Sequence, residues 1–494
     1  MQGHLLTWVT FIPVIGTLAI LFVPKDQKDV VKVVAAVATG IQLWIALMIL
    51  FAFDSSQSGM QFVEQYDWIE TFNIQYFMGI DGLSMPLVLL TALLSFIGVF
   101  ASWNINKASK GYFALFLLLD AGMMGVFVSL DFFLFYIFWE VMLLPMYFLI
   151  GMWGGPQREY AAIKFFLYTF AGSILMLLAM LALYFTQDPH TFNMLTLMGG
   201  TYGHTFQIVV FLALFVAFAI KVPVFPFHTW LPLAHVEAPT AISVILAGVL
   251  LKMGTYGLLR ISFPILPEGT LWFALPMAIL GVINIIYGAM CAMAQKDIKR
   301  LVAYSSISHM GIVLLGMAAM TKAGMSGAIF QMFNHGTITA MLFLSVGVIY
   351  DRAHHREIDG FGGLASKMPV YTGIAGVAFF AGLGLPGLSG FISEAMVFIG
   401  AFPVYTTLTI IATIGIVLNA GYFLWAFQRI FFGELNEKYK DIAVINGREL
   451  FTLVPLVVIV IFLGVYPMPM LDLFTATVDK LLDVLNFGAS MAIN

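Results

Sequence analysis

The sequence predicts an all-α polytopic membrane protein, and three observations lead to this class. Of the 494 residues, 61% are hydrophobic and only 10% are charged, whereas a soluble domain carries about 25% charged residues. The mean hydropathy is +0.98. The apolar residues form long continuous runs rather than the short alternating segments of a membrane β-barrel. Disorder is excluded by the apolar content, and nucleic-acid binding by a net charge of −4 without a basic stripe.

The apolar runs define the predicted spans. A helix needs about 20 mostly apolar residues to cross a bilayer, and the chain contains about fourteen runs of that length. They lie near 5–23, 30–53, 79–102, 112–130, 132–153, 161–186, 206–229, 238–261, 270–293, 301–320, 325–350, 369–400, 404–432 and 450–471. The first run has no basic segment before it and no small-residue cleavage site, so it is predicted to be a retained helix.

The distribution of basic residues predicts the orientation. Most of the 22 Lys and Arg residues fall in the odd-numbered connections between spans, beginning with Lys25 and Lys107, while Arg260 is assigned to the opposite side. Cytoplasmic connections of membrane proteins are enriched in Lys and Arg. The odd connections are therefore predicted to be cytoplasmic and both termini periplasmic, in the inner membrane of a bacterium.

Two spans are interrupted by proline. Pro223 and Pro226 lie in the seventh span, and Pro386 lies among glycines in the twelfth. Proline frees backbone carbonyls in a helix, and freed groups in a membrane are tolerated only where they face protein or a water-filled cavity. Two interruptions five spans apart predict an internal repeat with ion sites near the membrane midplane. The alternative is a pair of ordinary proline kinks.

The interruptions divide the chain into four predicted regions. A three-helix segment covers residues 1–111, and spans 4–8 form a first repeat over 112–261. Spans 9–13 form a second repeat over 270–433, and an odd number of spans per repeat makes the two topologies inverted. Residues 434–494 hold the last span and an amphipathic segment, predicted to lie at the interface or on a partner, or else to be a frayed tail.

Four charged residues lie inside predicted membrane spans, where a charge is energetically unfavourable. A charge at the centre of a membrane helix costs at least about 2.5–3.5 kcal/mol, so each is a functional candidate. Glu140 is in the fifth span, Lys221 at the first interruption, Lys252 in the eighth span and Glu394 after the second interruption. A buried lysine holds its proton when paired with a carboxylate and releases it when the pair opens. The alternative for Glu140 with Lys221 is a permanent salt bridge.

Two histidines in the predicted spans extend this pattern. His309 and His335 follow Lys252 and precede Glu394 in the chain. A neutral imidazole accepts a proton at one nitrogen and donates from the other, which suits a proton relay. The alternative is that each is an ordinary core histidine. No metal site is expected, because no His or carboxylate cluster has ligand spacing and Cys291 is the one cysteine.

Three further residues are secondary candidates. Asp81 is placed to cap the third span through backbone N–H groups. Asp120 lies within the fourth span without an evident neighbour, and His228 follows Pro226 at the first interruption.

Several motifs resemble a known family. The run Lys221–Thr240 resembles the signature of the antiporter-like subunits of respiratory complex I. Two segments are similar to the M type of these subunits: Ala234–Pro239 inside this run and Leu246–Gly254 after it. The segments Gly79–Ser84 and Ser306–Gly311 also match. The similarity extends over essentially the whole chain. The resemblance identifies the chain as a member of that family.

The resemblance implies roles for the candidates. Glu140, Lys221 and Lys252 match the glutamate and lysines of the fifth, seventh and eighth helices. His309, His335 and Glu394 match the central polar axis and its outlet, which supports the M type because L- and N-type relatives usually have lysine at the last position. Leu233 stands where many relatives have aspartate, so no acid role is assigned there.

The resemblance also implies a function and partners. Protons would enter near the seventh span, reach Lys221 tuned by Glu140, and pass by Lys252 and the histidines to Glu394 and the outside. No cofactor is expected in this chain, because NADH, FMN, iron–sulfur clusters and quinone bind elsewhere in the complex. The expected partners are lipids, the L- and N-type antiporter-like subunits and small helical subunits. The alternatives are a subunit of a multi-subunit Na⁺/H⁺ antiporter or of a membrane-bound hydrogenase.

Overall fold

The computed structural model of the protein describes residues 2–492, which are helical through most of their length. The first half holds α1 (Leu5–Phe22), α2 (Lys28–Ala52), β1 (Gln61–Ile69), β2 (Ile74–Ile80), α3 (Ser84–Ala101), α4 (Ser109–Val128), α5 (Phe132–Val141), α6 (Leu143–Trp153), α7 (Arg158–Thr186), α8 (Met194–Met198), α9 (His204–Lys221), α10 (Trp230–Glu237), α11 (Thr240–Ile245), α12 (Leu251–Gly257) and α13 (Phe263–Ile265). The second half holds α14 (Pro267–Met293), α15 (Ile298–Ala319), α16 (Lys322–Ala353), α17 (Pro369–Gly382), α18 (Ser389–Ala401), α19 (Thr406–Phe431), α20 (Gly447–Val465) and α21 (Met468–Ala492).

The helical polytopic class predicted from hydropathy is confirmed. Among the described residues, 13 helices are long and apolar enough to cross a membrane, counting 132–153 and 240–265 as one helix each. The shorter apolar helices α17 and α18 occupy the twelfth predicted span. The total of fourteen spans and the inverted repeats over 112–261 and 270–433 remain predictions.

The segment 54–78 differs from the sequence prediction, which treated it as a connection. Strands β1 and β2 pair as an antiparallel hairpin, because its Tyr, Phe, Trp and Ile residues favour strands over helix. Asn73 makes the turn with a left-handed φ of 50°, a conformation that asparagine tolerates. Glu64 joins the hairpin to α1 by accepting the Leu6 N–H at 2.7 Å. The third span therefore begins at Ser84 rather than at 79.

The seventh span is interrupted as predicted, between Lys221 and Trp230. Asn284 of α14 accepts the Phe225 N–H at 2.8 Å and donates to the Pro223 carbonyl at 3.2 Å. The Trp230 indole donates to the carbonyl of Ile220 at 2.8 Å. The freed backbone groups thus bond to protein. The span then continues through α10, beyond its predicted end at 229.

The twelfth span is interrupted between Gly382 and Ser389, around Pro386. Gly384 and Gly387 have φ of 80° and 92°, which glycine adopts without steric cost. Asn334 of α16 donates to the Ser389 carbonyl at 2.9 Å. An asparagine on a neighbouring helix therefore bonds the backbone at each interruption.

The eighth span contains two π-helical turns, Leu246–Leu250 and Leu258–Ser262. A π turn inserts a residue into the helix and often marks a functional position. The first turn comes directly before the segment with Lys252, and the second contains Arg260. An 18-residue stretch of this span is wholly buried, and a π turn precedes or contains each of its two basic residues.

The C-terminal helix α21 packs on α14 and α16 of this chain. Phe474 and Val478 are buried on its apolar side. It also meets the turn before α3, where the Gly82 N–H donates to Thr477 Oγ1 at 3.0 Å. The amphipathic segment therefore lies on the chain's own helices.

The contact at Gly82 predicts an effect on stability. A Cβ there would lie 2.2 Å from the Leu473 carbonyl oxygen and 2.6 Å from the Phe474 Cα, so backbone must move. We expect Gly82→Ala to destabilise the protein by about 1–3 kcal/mol and to expose α21 to protease. Limited proteolysis of purified protein in detergent measures this. Gly59→Ala is the control, since nothing lies within 4 Å of its Cβ position, and equal protection of α21 in both variants would contradict the prediction.

Candidate functional site

Four predicted side chains form a continuous row in the interior. The Lys252 Nζ lies 2.6 Å from His335 Nδ1 and donates to the Ala247 carbonyl at 2.6 Å. The His335 and His309 rings are 5.8 Å apart between centroids. His309 Nδ1 lies 3.0 Å from Glu394 Oε1. All four side chains are buried, so α12, α15, α16 and α18 bring an amine, two imidazoles and a carboxylate into one row.

An amide and a hydroxyl that sequence reasoning did not single out hold the end of this row. Gln331 Nε2 donates to Glu394 Oε1 at 3.2 Å, and Ser393 Oγ donates to Gln331 Oε1 at 2.5 Å. Asn334 in turn donates to Ser393 Oγ at 3.0 Å. Gln331 lies one helical turn before His335 on the same helix face, and that spacing was the available signal.

A small cavity lies between the two imidazoles and the carboxylate. It is lined by His309, His335 and Glu394, among others, and offers about 10 Å³ to the centre of a water molecule. That volume is about enough for a single water. His335 Nε2 is buried and has no hydrogen-bond partner among the described residues. A water in the cavity would join the two histidines.

Glu140 and Lys221 do not contact each other, which contradicts the alternative of a permanent salt bridge between them. Among the described residues, no nitrogen–oxygen distance within 4.0 Å joins them, and Lys221 Nζ and Glu140 Oε1 are buried without hydrogen-bond partners. The Lys221 ammonium instead lies over the rings of Trp139 and Phe165, at 5.1 and 5.6 Å from their centroids. These cation–π contacts hold the amine away from the carboxylate. The two charges still act on each other at longer range.

The end of α9 that carries Lys221 packs against α12. A Cβ added to Gly254 would lie 3.2 Å from the Lys221 Cβ and 2.7 Å from the Phe218 carbonyl oxygen. This close approach places Lys221 beside the short helix that holds Lys252. No hydrogen bond joins the two lysines in the part of the chain that the structure describes.

His235 is a further buried candidate that sequence reasoning missed. Its side chain is fully buried and stacks on Phe343 with 4.8 Å between ring centroids. Neither ring nitrogen has a partner among residues 2–492, and the charges of Lys252 and Lys299 act on it. It was missed because the predicted seventh span ended at 229.

Asp81 caps α3 as predicted and has a second partner. Its Oδ1 accepts the N–H groups of Leu83 and Ser84 at 3.0 and 3.2 Å. Arg260 Nη1 donates to Asp81 Oδ2 at 2.8 Å, and Arg260 Nη2 donates to Oδ1. The assignment of Arg260 to an outer connection was wrong. It is 4% exposed, because the carboxylate of Asp81 neutralises it inside the protein.

The other secondary candidates lie apart from the row. Asp120 Oδ1 accepts from Ser95 Oγ at 2.7 Å, within the bundle of the first four helices. His228 Nε2 lies 3.3 Å from the Tyr287 hydroxyl, and its ring stacks on Phe225. Neither residue contacts the row from Lys252 to Glu394 among the described contacts.

A buried row of ionisable side chains between two interrupted spans defines a membrane protein of the ion-translocating class. Residues 129–419 match the family described as NADH:quinone oxidoreductase/Mrp antiporter, and residues 30–130 match the amino terminus of NADH-ubiquinone oxidoreductase chain 4. NADH-quinone oxidoreductase subunit M of Rhodobacter capsulatus is 44% identical over 99% of this chain and 98% of its own length. Subunit M of Rickettsia conorii is 42% identical over 96% of this chain and 97% of its own length. The chain belongs to the NADH-quinone oxidoreductase subunit M family.

A solved structure agrees with this assignment. A chain of respiratory complex I from Thermus thermophilus superposes with a TM-score of 0.88 at 29% identity, covering 97% of this chain and 99% of that one. A chain of the Mrp complex from Dietzia also has a TM-score of 0.88, at 21% identity and 98% coverage of both. The second likeness shows the fold alone.

Proposed function

We propose that this chain is a proton-translocating membrane subunit of an NADH:quinone oxidoreductase and that protons move along the buried row. The observation that carries the proposal is the succession of contacts from Lys252 through His335 and His309 to Glu394. Its relatives are named subunit M of NADH-quinone oxidoreductase, which supports the proposal that this chain works in that complex.

Each member of the row has the chemistry for proton transfer. The Lys252 ammonium faces His335 Nδ1, which as a neutral imidazole accepts a proton there and donates one from Nε2. A water in the cavity next to His335 carries that proton to His309. His309 then delivers it to the Glu394 carboxylate, 3.0 Å from its Nδ1. The carboxylate releases the proton to the outer side.

The separated charges of Glu140 and Lys221 supply a switch. Two opposite charges about 4 Å apart attract each other by about 4 kcal/mol at an effective dielectric constant of about 20, and by about 2 kcal/mol at twice any such separation. Moving one charge against 100 mV costs about 2.3 kcal/mol. The free energy gained by closing this pair is therefore similar to the cost of moving one charge. Closing and opening the pair can hold and release one proton per cycle at Lys221.

The redox chemistry would take place in other subunits. NADH, FMN, iron–sulfur clusters and quinone would bind there, and the neighbours in the membrane would be the L- and N-type antiporter-like subunits and small helical subunits. The basic connections support a bacterial inner membrane location with both termini periplasmic. Exposed apolar side chains along α1, α7 and α19, such as Leu18, Leu178 and Val417, would face lipid or these subunits.

The test is Glu394→Gln in the assembled complex, reconstituted in vesicles. Glutamine keeps the shape of the side chain but releases no proton, so we expect proton pumping per NADH to fall about tenfold or more. Quenching of a pH-sensitive dye measures pumping. Glu434→Gln is the matched control, because Glu434 is exposed in a connection. Normal pumping and normal turnover in Glu394→Gln would refute the proposed path.

A second candidate function is cation/proton exchange in a multi-subunit antiporter. The family description, which names the Mrp antiporter beside NADH:quinone oxidoreductase, favours it. Vesicles with the purified complex distinguish the two. Sodium-dependent proton movement without NADH, and no flavin or iron–sulfur proteins in the preparation, would support the antiporter instead.

A further inference from the structure

A second buried lysine lies outside the row described above. Lys299 lies in the connection between the predicted spans 270–293 and 301–320, but it is 5% exposed in the first turn of α15. Its Nζ donates to the Ala238 carbonyl at 2.5 Å. No carboxylate oxygen lies within 4.0 Å of it among the described residues. A buried ammonium with one neutral partner is costly to keep for structural reasons alone.

Lys299 lies beside His235. Ala238, which accepts its hydrogen bond, directly follows the helix that carries His235. The charges of Lys299 and Lys252 both act on the His235 ring, whose two nitrogens are without partners among residues 2–492. His235 therefore stands between a lysine at the cytoplasmic end and the first lysine of the row.

Three charged residues lie near Lys299. Asp297 caps α15, the helix that carries Lys299. Glu237 ends α10, and Arg356 follows α16. The charges of all three residues act on Lys299. Arg356 pairs with Asp297 at 3.1 Å, and the Glu237 carboxylate accepts the Gln157 N–H at 2.9 Å. The neighbouring groups are thus engaged elsewhere, and the Lys299 amine keeps only its bond to the carbonyl.

A cleft brings solvent to the same place. It has a volume of about 230 Å³ and is lined by Pro239 and Thr240, which follow Ala238, with Asn104, Asp351 and Arg448 among its polar residues. The centre of one water needs about 10–15 Å³, so such a volume holds several waters. Water therefore reaches the chain segment next to the carbonyl that binds Lys299.

We propose that Lys299 is the proton-loading residue on the cytoplasmic side, which protonates His235 and through it Lys252. The Lys299 ammonium gives a proton through water to one His235 nitrogen and becomes a neutral amine. The imidazolium then passes a proton to the neutral amine of Lys252, and Lys299 regains its proton from water at the cytoplasmic surface. This role rests on the proposed function.

The experiment compares arginine and methionine at this position in the assembled complex. Arginine keeps the charge and can donate to the Ala238 carbonyl, but it does not release a proton in a protein. We expect Lys299→Arg to assemble normally and yet to lower proton pumping per NADH about tenfold or more, as does Lys299→Met. Lys296→Arg and Lys296→Met are the matched controls, because Lys296 is exposed three residues earlier. Normal pumping by Lys299→Arg would show a structural role only and overturn the proposal.

A second measurement does not depend on the assembly of these variants. Thr240→Cys in a Cys291→Ser background should react with a membrane-impermeant maleimide added from the cytoplasmic side of the native complex. Absence of labelling from that side would overturn the proposal. Normal pumping by Glu394→Gln would refute the proposed function itself, whereas normal pumping by Lys299→Arg alone would refute only this loading role.

Discussion

Replacing Lys221 with methionine is expected to abolish NADH-driven proton pumping and to slow NADH oxidation by the assembled complex. Methionine fills the same space between Trp139 and Phe165, but it carries no proton, so Glu140 loses the group with which it would pair. We expect a loss of about tenfold or more, since a positioned proton-transfer group contributes at least that much. Glu140→Gln should have the same effect. Pumping and NADH:quinone turnover, measured together in vesicles, give the result.

Lys164→Met is the control for this experiment. Lys164 also places its ammonium over an aromatic ring, at 5.8 Å from the Tyr168 centroid, and is partly exposed. Its loss removes a cation–π contact without removing a proposed proton-transfer group. If Lys221→Met pumps as well as Lys164→Met, proton transfer does not pass through Lys221.

Replacing Arg260 with leucine is expected to give the largest loss of stability of any single substitution at the buried pairs. It leaves the carboxylate of Asp81 buried without its counter-charge, which costs about 3–5 kcal/mol. Thermal unfolding of the purified protein in detergent should show a clearly lower midpoint. Asp81→Asn combined with Arg260→Leu should recover most of the loss, because no uncompensated charge remains and asparagine also caps a helix.

Arg429→Leu separates this effect from the loss of any ion pair. Arg429 and Asp359 are 3.5 Å apart, and their side chains are 57% and 60% exposed. Exposed pairs contribute about 0–1 kcal/mol, so the midpoint should hardly change. Equal losses for Arg260→Leu and Arg429→Leu would mean that the buried pair has no special contribution.

Hydropathy predicted the helical spans because the thickness of the bilayer sets the length of each apolar run. The two interruptions were predictable for a similarly local reason, since proline cannot donate a backbone hydrogen bond. The charges from Glu140 to Glu394 were found because ionisable groups are rare in apolar runs. These features depend on residues near one another in the chain.

The features that the sequence did not predict depend on contacts between distant segments. Arg260 and Lys299 were counted as surface cations, because counting basic residues at the ends of spans does not show what faces them. The hairpin of β1 and β2 depends on cross-strand pairs, which hydropathy along the chain does not register. The position of the Lys221 ammonium away from Glu140 depends on its contacts with Trp139 of α5 and Phe165 of α7. His235 was missed because the end of a broken helix is poorly defined by composition.

The two hydrogen bonds between the Asn284 side chain and the backbone of Pro223 and Phe225 have a consequence for movement of the seventh helix. Both bonds involve neutral groups, and each such bond contributes about 0.5–1.5 kcal/mol net. Releasing them strands no charge in the hydrocarbon layer, as opening a salt bridge would. A movement at this interruption would therefore reach α14 without exposing a buried charge, both through Asn284 and through Tyr287, whose hydroxyl lies 3.3 Å from His228 Nε2.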